Sequence, residues 1–134
     1  MIRLIANHST EQVFYVTPFN DRKDLSESIT HYLIVFEQTE SVLAFVANVA
    51  VDNERYTEVN ITTNVDAPTL GNVKIEDTGL YRYTIYGQTS STNLSPSNAA
   101  VKGVLETGSV EAVSSDSVAV QPLISIPGYI YYRE

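Results

Sequence analysis

From Gly79 to Gln88 the chain reads GLYRYTIYGQ, with Tyr81, Tyr83 and Ile85 on one side of an extended backbone and Leu80, Arg82, Thr84 and Tyr86 on the other. A period of two sustained over ten residues does not fit a helix face, so it predicts a strand with one side in a core. The surroundings agree. Nine Tyr, four Phe and no Trp stand among abundant Val, Ile, Thr and Ser, the composition of pleated, half-buried surfaces. With 43% hydrophobic and 18% charged residues the chain is too apolar for a disordered protein, and 134 residues suffice for one domain with a core of its own.

Further strands follow from the same reasoning. Glu11 to Thr17 (EQVFYVT) mixes β-branched and aromatic residues before Pro18 stops it, and Asn20 to Ser28 reads as a polar loop. His31 to Glu37 and Val42 to Val51 are apolar runs on either side of Gln38-Thr39-Glu40-Ser41, predicting two antiparallel neighbours. Arg55 to Thr63 alternates, with Thr57, Val59, Ile61 and Thr63 on the core side. A short strand is predicted over Asn72 to Ile75. Residues Ala100 to Glu106 and Val110 to Val113 read as two more, interrupted at Thr107-Gly108-Ser109. The predicted core centres on Tyr81, Tyr83, Val59, Ile61, Phe45 and Ile85.

The stretch Asp77-Thr78-Gly79-Leu80-Tyr81 has the D-x-G-x-Y spacing that opens one strand of many immunoglobulin-like domains. Gly79 permits a tight approach to the strand, and the Tyr81 hydroxyl can bond upstream backbone while its ring fills the core. Two residues on, where an antibody domain has its second cysteine, stands Tyr83, and the chain contains no cysteine. Arg55 is placed either to pair with Asp77 and pin this corner or to be an unrelated surface charge. The fold expectation is an all-β, immunoglobulin-like antiparallel β-sandwich over residues 1–113, with an extended C-terminal arm over 114–134.

Little in the sequence points to bond chemistry. His8 and His31 are the only histidines, neither in a metal-ligand spacing, and the chain has no nucleophile elbow or phosphate-binding glycine loop. Asp52, Glu54, Asp66, Glu76 and Asp77 lack the order of a calcium loop, though a weak site at a loop end stays open. The expectation is a binding protein, not an enzyme, with no cofactor or metal. A net charge of −8 has the wrong sign for a nucleic-acid partner, and no window reaches the length of a membrane span. Absent cysteines favour assembly in a reducing compartment.

The tail is the part that a self-contained domain explains least. Tyr129, Ile130, Tyr131 and Tyr132 follow a stretch broken by Pro122, Pro127 and Gly128. Tyrosines and aliphatics of this kind serve as anchors at interfaces, so these four residues are candidate docking residues for a neighbouring subunit. A last edge strand on the same sandwich is the alternative.

Asn53-Glu54-Arg55-Tyr56, the run from Gly79 to Gln88, Thr92-Asn93-Leu94 and Leu105-Glu106-Thr107-Gly108 together resemble small virion proteins of tailed bacteriophages, particularly those infecting Bacteroidetes-type hosts. Gly87 departs from the acidic or glutamine residue usual before Gln88, and the tail from Ser114 is an addition that leaves the place in the particle open. The resemblance implies a virion structural protein assembled in the host cytoplasm. An auxiliary capsid or decoration subunit comes first, docking onto other virion proteins and forming a homo-oligomer on the particle. A neck or tail subunit is the alternative in location. The alternative in class is a carbohydrate-binding or host-adhesion module using Tyr86 and the loop over residues 89–98.

Overall fold

A computed structural model describes residues 1–17, 29–53 and 55–114. Among them eight strands form two facing sheets. They are β1 (Ile2–Ile5), β2 (Gln12–Val16), β3 (His31–Glu37), β4 (Val42–Val46), β5 (Asn48–Asp52), β6 (Thr57–Ile61), β7 (Gly79–Gln88) and β8 (Val101–Val113). The larger sheet has the order β1-β8-β7-β3-β4 and the smaller β2-β6-β5. This is an all-β sandwich of immunoglobulin-like strand order. The loop expected over residues 20–28 and residues 115–134 of the expected arm lie outside the described residues.

The alternation read from the sequence sets the packing. Tyr81, Tyr83 and Ile85 of β7 face Val59 and Ile61 of β6, with Ile34, Phe36 and Phe45 beside them in one buried cluster. Phe36 meets Phe45 edge-on with ring centroids 5.3 Å apart, a favoured aromatic geometry. Thr57 and Thr63 are buried on the same side of their strand as Val59 and Ile61.

Four details differ from the sequence reading. The sheet is mixed, because β1, which the sequence reading passed over, runs parallel to β8 with Ile2 opposite Val110. Four residues with only Leu4 buried carry too short a pattern to read. The chain then crosses to the smaller sheet through a knot of hydrogen bonds. Ile5 N–H donates to Gln12 Oε1 at 2.7 Å, Gln12 Nε2 donates to the Ile5 carbonyl at 2.9 Å, and Thr63 Oγ1 donates to that carbonyl at 2.6 Å.

Secondly, Val42 to Val51 is two strands in different sheets. The break falls at Ala47, whose N–H still donates to the Tyr32 carbonyl at 2.9 Å. Gly71, in a left-handed conformation with φ of +85°, packs so close to Asn48 that a Cβ there would stand 2.4 Å from the Asn48 Cβ.

Thirdly, residues 72–75 make only isolated bridges, Thr62 with Asn72 and Asn64 with Lys74, although Val73 and Ile75 are buried. Lastly, β8 is unbroken for 13 residues. Gly108 ends no strand; it lies opposite Tyr83 in the β7–β8 register.

Candidate functional site

The smaller sheet carries the most aromatic exposed surface described. Alternation along β2 buries Phe14 and Val16 and turns Val13 and Tyr15 outward, where Tyr15 lies opposite Glu58 and Val13 opposite Asn60. Tyr56, just before β6, joins them through the turn at Asn53, whose Oδ1 accepts from the N–H groups of Arg55 and Tyr56. The rings of Tyr15 and Tyr56 stand edge to face, with centroids 5.4 Å apart and planes at 89°. Tyr15 is 58% and Val13 44% exposed, so neither ring nor methyls are spent on the core. In the same face Asn60 Oδ1 is shielded from solvent and accepts no hydrogen bond. A buried acceptor without a donor costs about 1–3 kcal/mol.

The corner residues behave differently from one another. Tyr81 is buried and its hydroxyl donates to the Asp77 carbonyl at 2.8 Å, which is the hydrogen bond of a tyrosine corner. Gly79 has φ of +127°, a conformation that a side chain would strain. Arg55 and Asp77 are both exposed, and no ion pair joins them among the described residues. The arginine is a surface charge whose backbone N–H is held by the Asn53 turn. Burial, and then the Asp77 carboxylate, push the Tyr81 hydroxyl above the ordinary tyrosine range.

A polar brace that the sequence reading did not anticipate joins the two sheets at Glu106. Tyr83 Oη donates to Glu106 Oε2 at 2.5 Å, and Thr17 donates to Oε1 through its N–H at 3.1 Å and also through its hydroxyl. Burial first, then the hydrogen bond to Glu106 and its charge, push the Tyr83 hydroxyl far above its ordinary range. The only sequence signal was the E-x-G spacing of Glu106 and Gly108.

The larger sheet has an open cleft of about 750 Å³ on its outer side, lined among others by Glu37, Leu80, Arg82, Thr84, Thr107 and Ser109. Tyr86 is half-buried, and the 89–98 loop is held to the end of β7 by a reciprocal pair: Gln88 Nε2 donates to the Asn93 carbonyl at 3.2 Å, and Asn93 Nδ2 donates to Gln88 Oε1 at 2.8 Å. His31 Nδ1 lies 2.9 Å from Thr30 Oγ1, and the His8 N–H donates to Thr63 Oγ1 at 3.0 Å. Among the described residues no three His, Asp or Glu side chains gather as metal ligands would. Tyr129, Ile130, Tyr131 and Tyr132 lie outside the described residues.

No family model matches the chain, and neither does any curated protein or solved structure.

Proposed function

We propose that the chain is a structural subunit of a virion, an auxiliary capsid or decoration protein that docks onto other virion proteins and is assembled in the host cytoplasm. The observation that carries this reading is the exposed Tyr15–Tyr56 pair with Val13 beside it. Tyrosine contributes large contact area with few rotors, and a cluster of it on a domain whose core is complete without it marks a protein interface. Tyr129, Ile130, Tyr131 and Tyr132 are proposed as a second docking element. The resemblance of the tyrosine-rich middle of the chain to small phage virion proteins supplies the identity of the partner, and a neck or tail position differs from a capsid one only in place and copy number.

The test is the composition of particles. Phage particles purified by density gradient from a culture producing this chain should contain it in fixed ratio to the other particle proteins by quantitative mass spectrometry. Its absence from intact particles sinks the reading.

One observation favours a second reading, adhesion to glycans. The cleft brings the hydroxyls of Thr84, Thr107 and Ser109 near the charges of Glu37 and Arg82, groups that hydrogen-bond sugars. Binding on a glycan array, abolished by Arg82→Ala, would favour it over a purely structural role.

A further inference from the structure

The exposed tyrosine pair has a carboxylate beside it. In the β2–β6 register Tyr15 stands opposite Glu58, and the Cβ atoms of such cross-strand neighbours are about 5 Å apart. Tyr56 lies two residues before Glu58, and its contact with Tyr15, at 5.4 Å between centroids and 89° between planes, puts it on the same face. Alternation along β6 points Glu58 away from the buried Thr57 and Val59. Three side chains thus converge outside the smaller sheet, and Tyr56 keeps 36% of its surface in solvent beside the more open Tyr15.

The charge at this place is one-sided. Glu58 joins no ion pair among the described residues. No lysine or arginine stands in β2, β5 or β6, while β5 adds a second carboxylate, Asp52. Arg55, next to Tyr56 in sequence, is exposed and pairs with no carboxylate among the described residues.

These features select among occupants. The face of a tyrosine ring is its negative side, and it attracts a cation within about 6 Å of its centroid. Rings at right angles offer such faces from two directions, and Glu58 adds a full charge. An anion is repelled here. A wholly apolar side chain would cover Glu58 without pairing it, the costly fate of a charge. A second copy meeting this face with its own brings carboxylate to carboxylate. Of the two basic side chains, the planar guanidinium of arginine can stack on a ring while its N–H fork meets the carboxylate, whereas the ammonium of lysine is a compact, strongly hydrated point.

We propose that Tyr15, Tyr56 and Glu58 form a receptor for an arginine side chain that a partner protein inserts at this face. That the arginine belongs to a protein rests on the docking reading above, whereas the affinity of the site for a guanidinium does not.

The test uses the full chain and a probe of the side chain alone, N-acetyl-arginine methylamide, with N-acetyl-citrulline methylamide as its uncharged counterpart. Tyrosine ring signals are followed by NMR at constant ionic strength as each probe is raised to about 50 mM, a range suited to the millimolar affinity of one exposed side chain. The expected result is a saturable shift of the Tyr15 and Tyr56 rings with the arginine probe, with Tyr86 on the larger sheet unmoved. Citrulline should bind several-fold more weakly, and Glu58→Gln should weaken the arginine probe to a similar degree. Equal shifts with both probes, which need only the unaltered chain, overturn the proposal. So do shifts indifferent to Glu58→Gln, equal movement of Tyr86, or no saturable shift at all. Particle composition is a separate measurement. A chain that enters particles yet ignores the arginine probe loses only this site, and one that binds the probe but is absent from particles loses only the virion reading.

Discussion

The ring of Tyr83 lies across Gly108 on the neighbouring strand, so close that a Cβ on Gly108 would stand 2.6 Å from Cε2 of the tyrosine and 2.7 Å from its hydroxyl oxygen. The glycine is a slot, and the ring in it is also the donor to Glu106. Gly108→Ala must therefore displace the ring or break that hydrogen bond. Overpacking of this kind costs about 1–3 kcal/mol. Urea denaturation should show the loss, and Gly108→Ala in a Tyr83→Phe background should cost less, because the hydroxyl oxygen is one of the three closest atoms.

The Tyr83 hydroxyl also gives stability a pH dependence. Its folded-state pKa is raised above the unfolded value of about 10. The neutral form is thus favoured by folding, and the contribution is complete below the unfolded pKa and lost as pH rises through the folded one. Tyr81 and Tyr32, raised chiefly by burial, act in the same direction. Unfolding free energy should fall from about pH 10 upward, and Tyr83→Phe should flatten that fall while lowering stability near neutrality by about 1.5–3 kcal/mol, the range for a hydrogen bond to a charged group. A parallel alkaline fall in the two proteins would contradict the assignment.

At the corner, Tyr81→Phe removes one hydrogen bond to the Asp77 carbonyl and leaves the ring in place. The expected loss is about 0.5–1.5 kcal/mol. Gly79→Ala adds a side chain at φ of +127°, and backbone strain of this order costs about 1–3 kcal/mol. Thermal melts of the two variants should rank in that order. Arg55→Ala, by contrast, should leave the melting temperature unchanged, since its charge has no carboxylate partner in the corner.

Tyr15 separates binding from folding. Its side chain is exposed, so Tyr15→Ala should change stability by no more than about 0.5 kcal/mol. As an anchor on the docking face its loss should weaken docking by about 2 kcal/mol or more, roughly thirtyfold. The check is a pair of measurements on one protein, a melting curve and incorporation into particles in competition with the unaltered chain.

What could be read beforehand followed from periodicity. Tyr81, Tyr83 and Ile85 declare their side of β7 because the alternation is long, and Val59 and Ile61 do so within β6. Val42 to Val51 could not be divided, because an apolar run has no mark for the residue at which a chain changes sheets; Ala47 is that residue only through its bond to Tyr32. Gly108 misled, since glycine signals a turn and a close approach equally, and only the partner strand tells which. The Tyr15–Tyr56 pair was invisible because its members are brought together by the β2–β6 register.

The parallel pairing of β1 with β8 joins residues 108 positions apart, as in the ion pair of Arg3 with Glu111. During synthesis β1 emerges long before β8, its only sheet neighbour among the described residues, exists. Until β8 has left the ribosome, Ile2 to Ile5 is an apolar strand with no template, and the larger sheet has an unpaired edge at β7. Closure of the sandwich is thereby deferred to a late, long-range event, the slowest kind in folding. A nascent chain stalled before Val101 would hold both edges open to other chains, so the vulnerable interval for aggregation is set by translation of the 13 residues of β8.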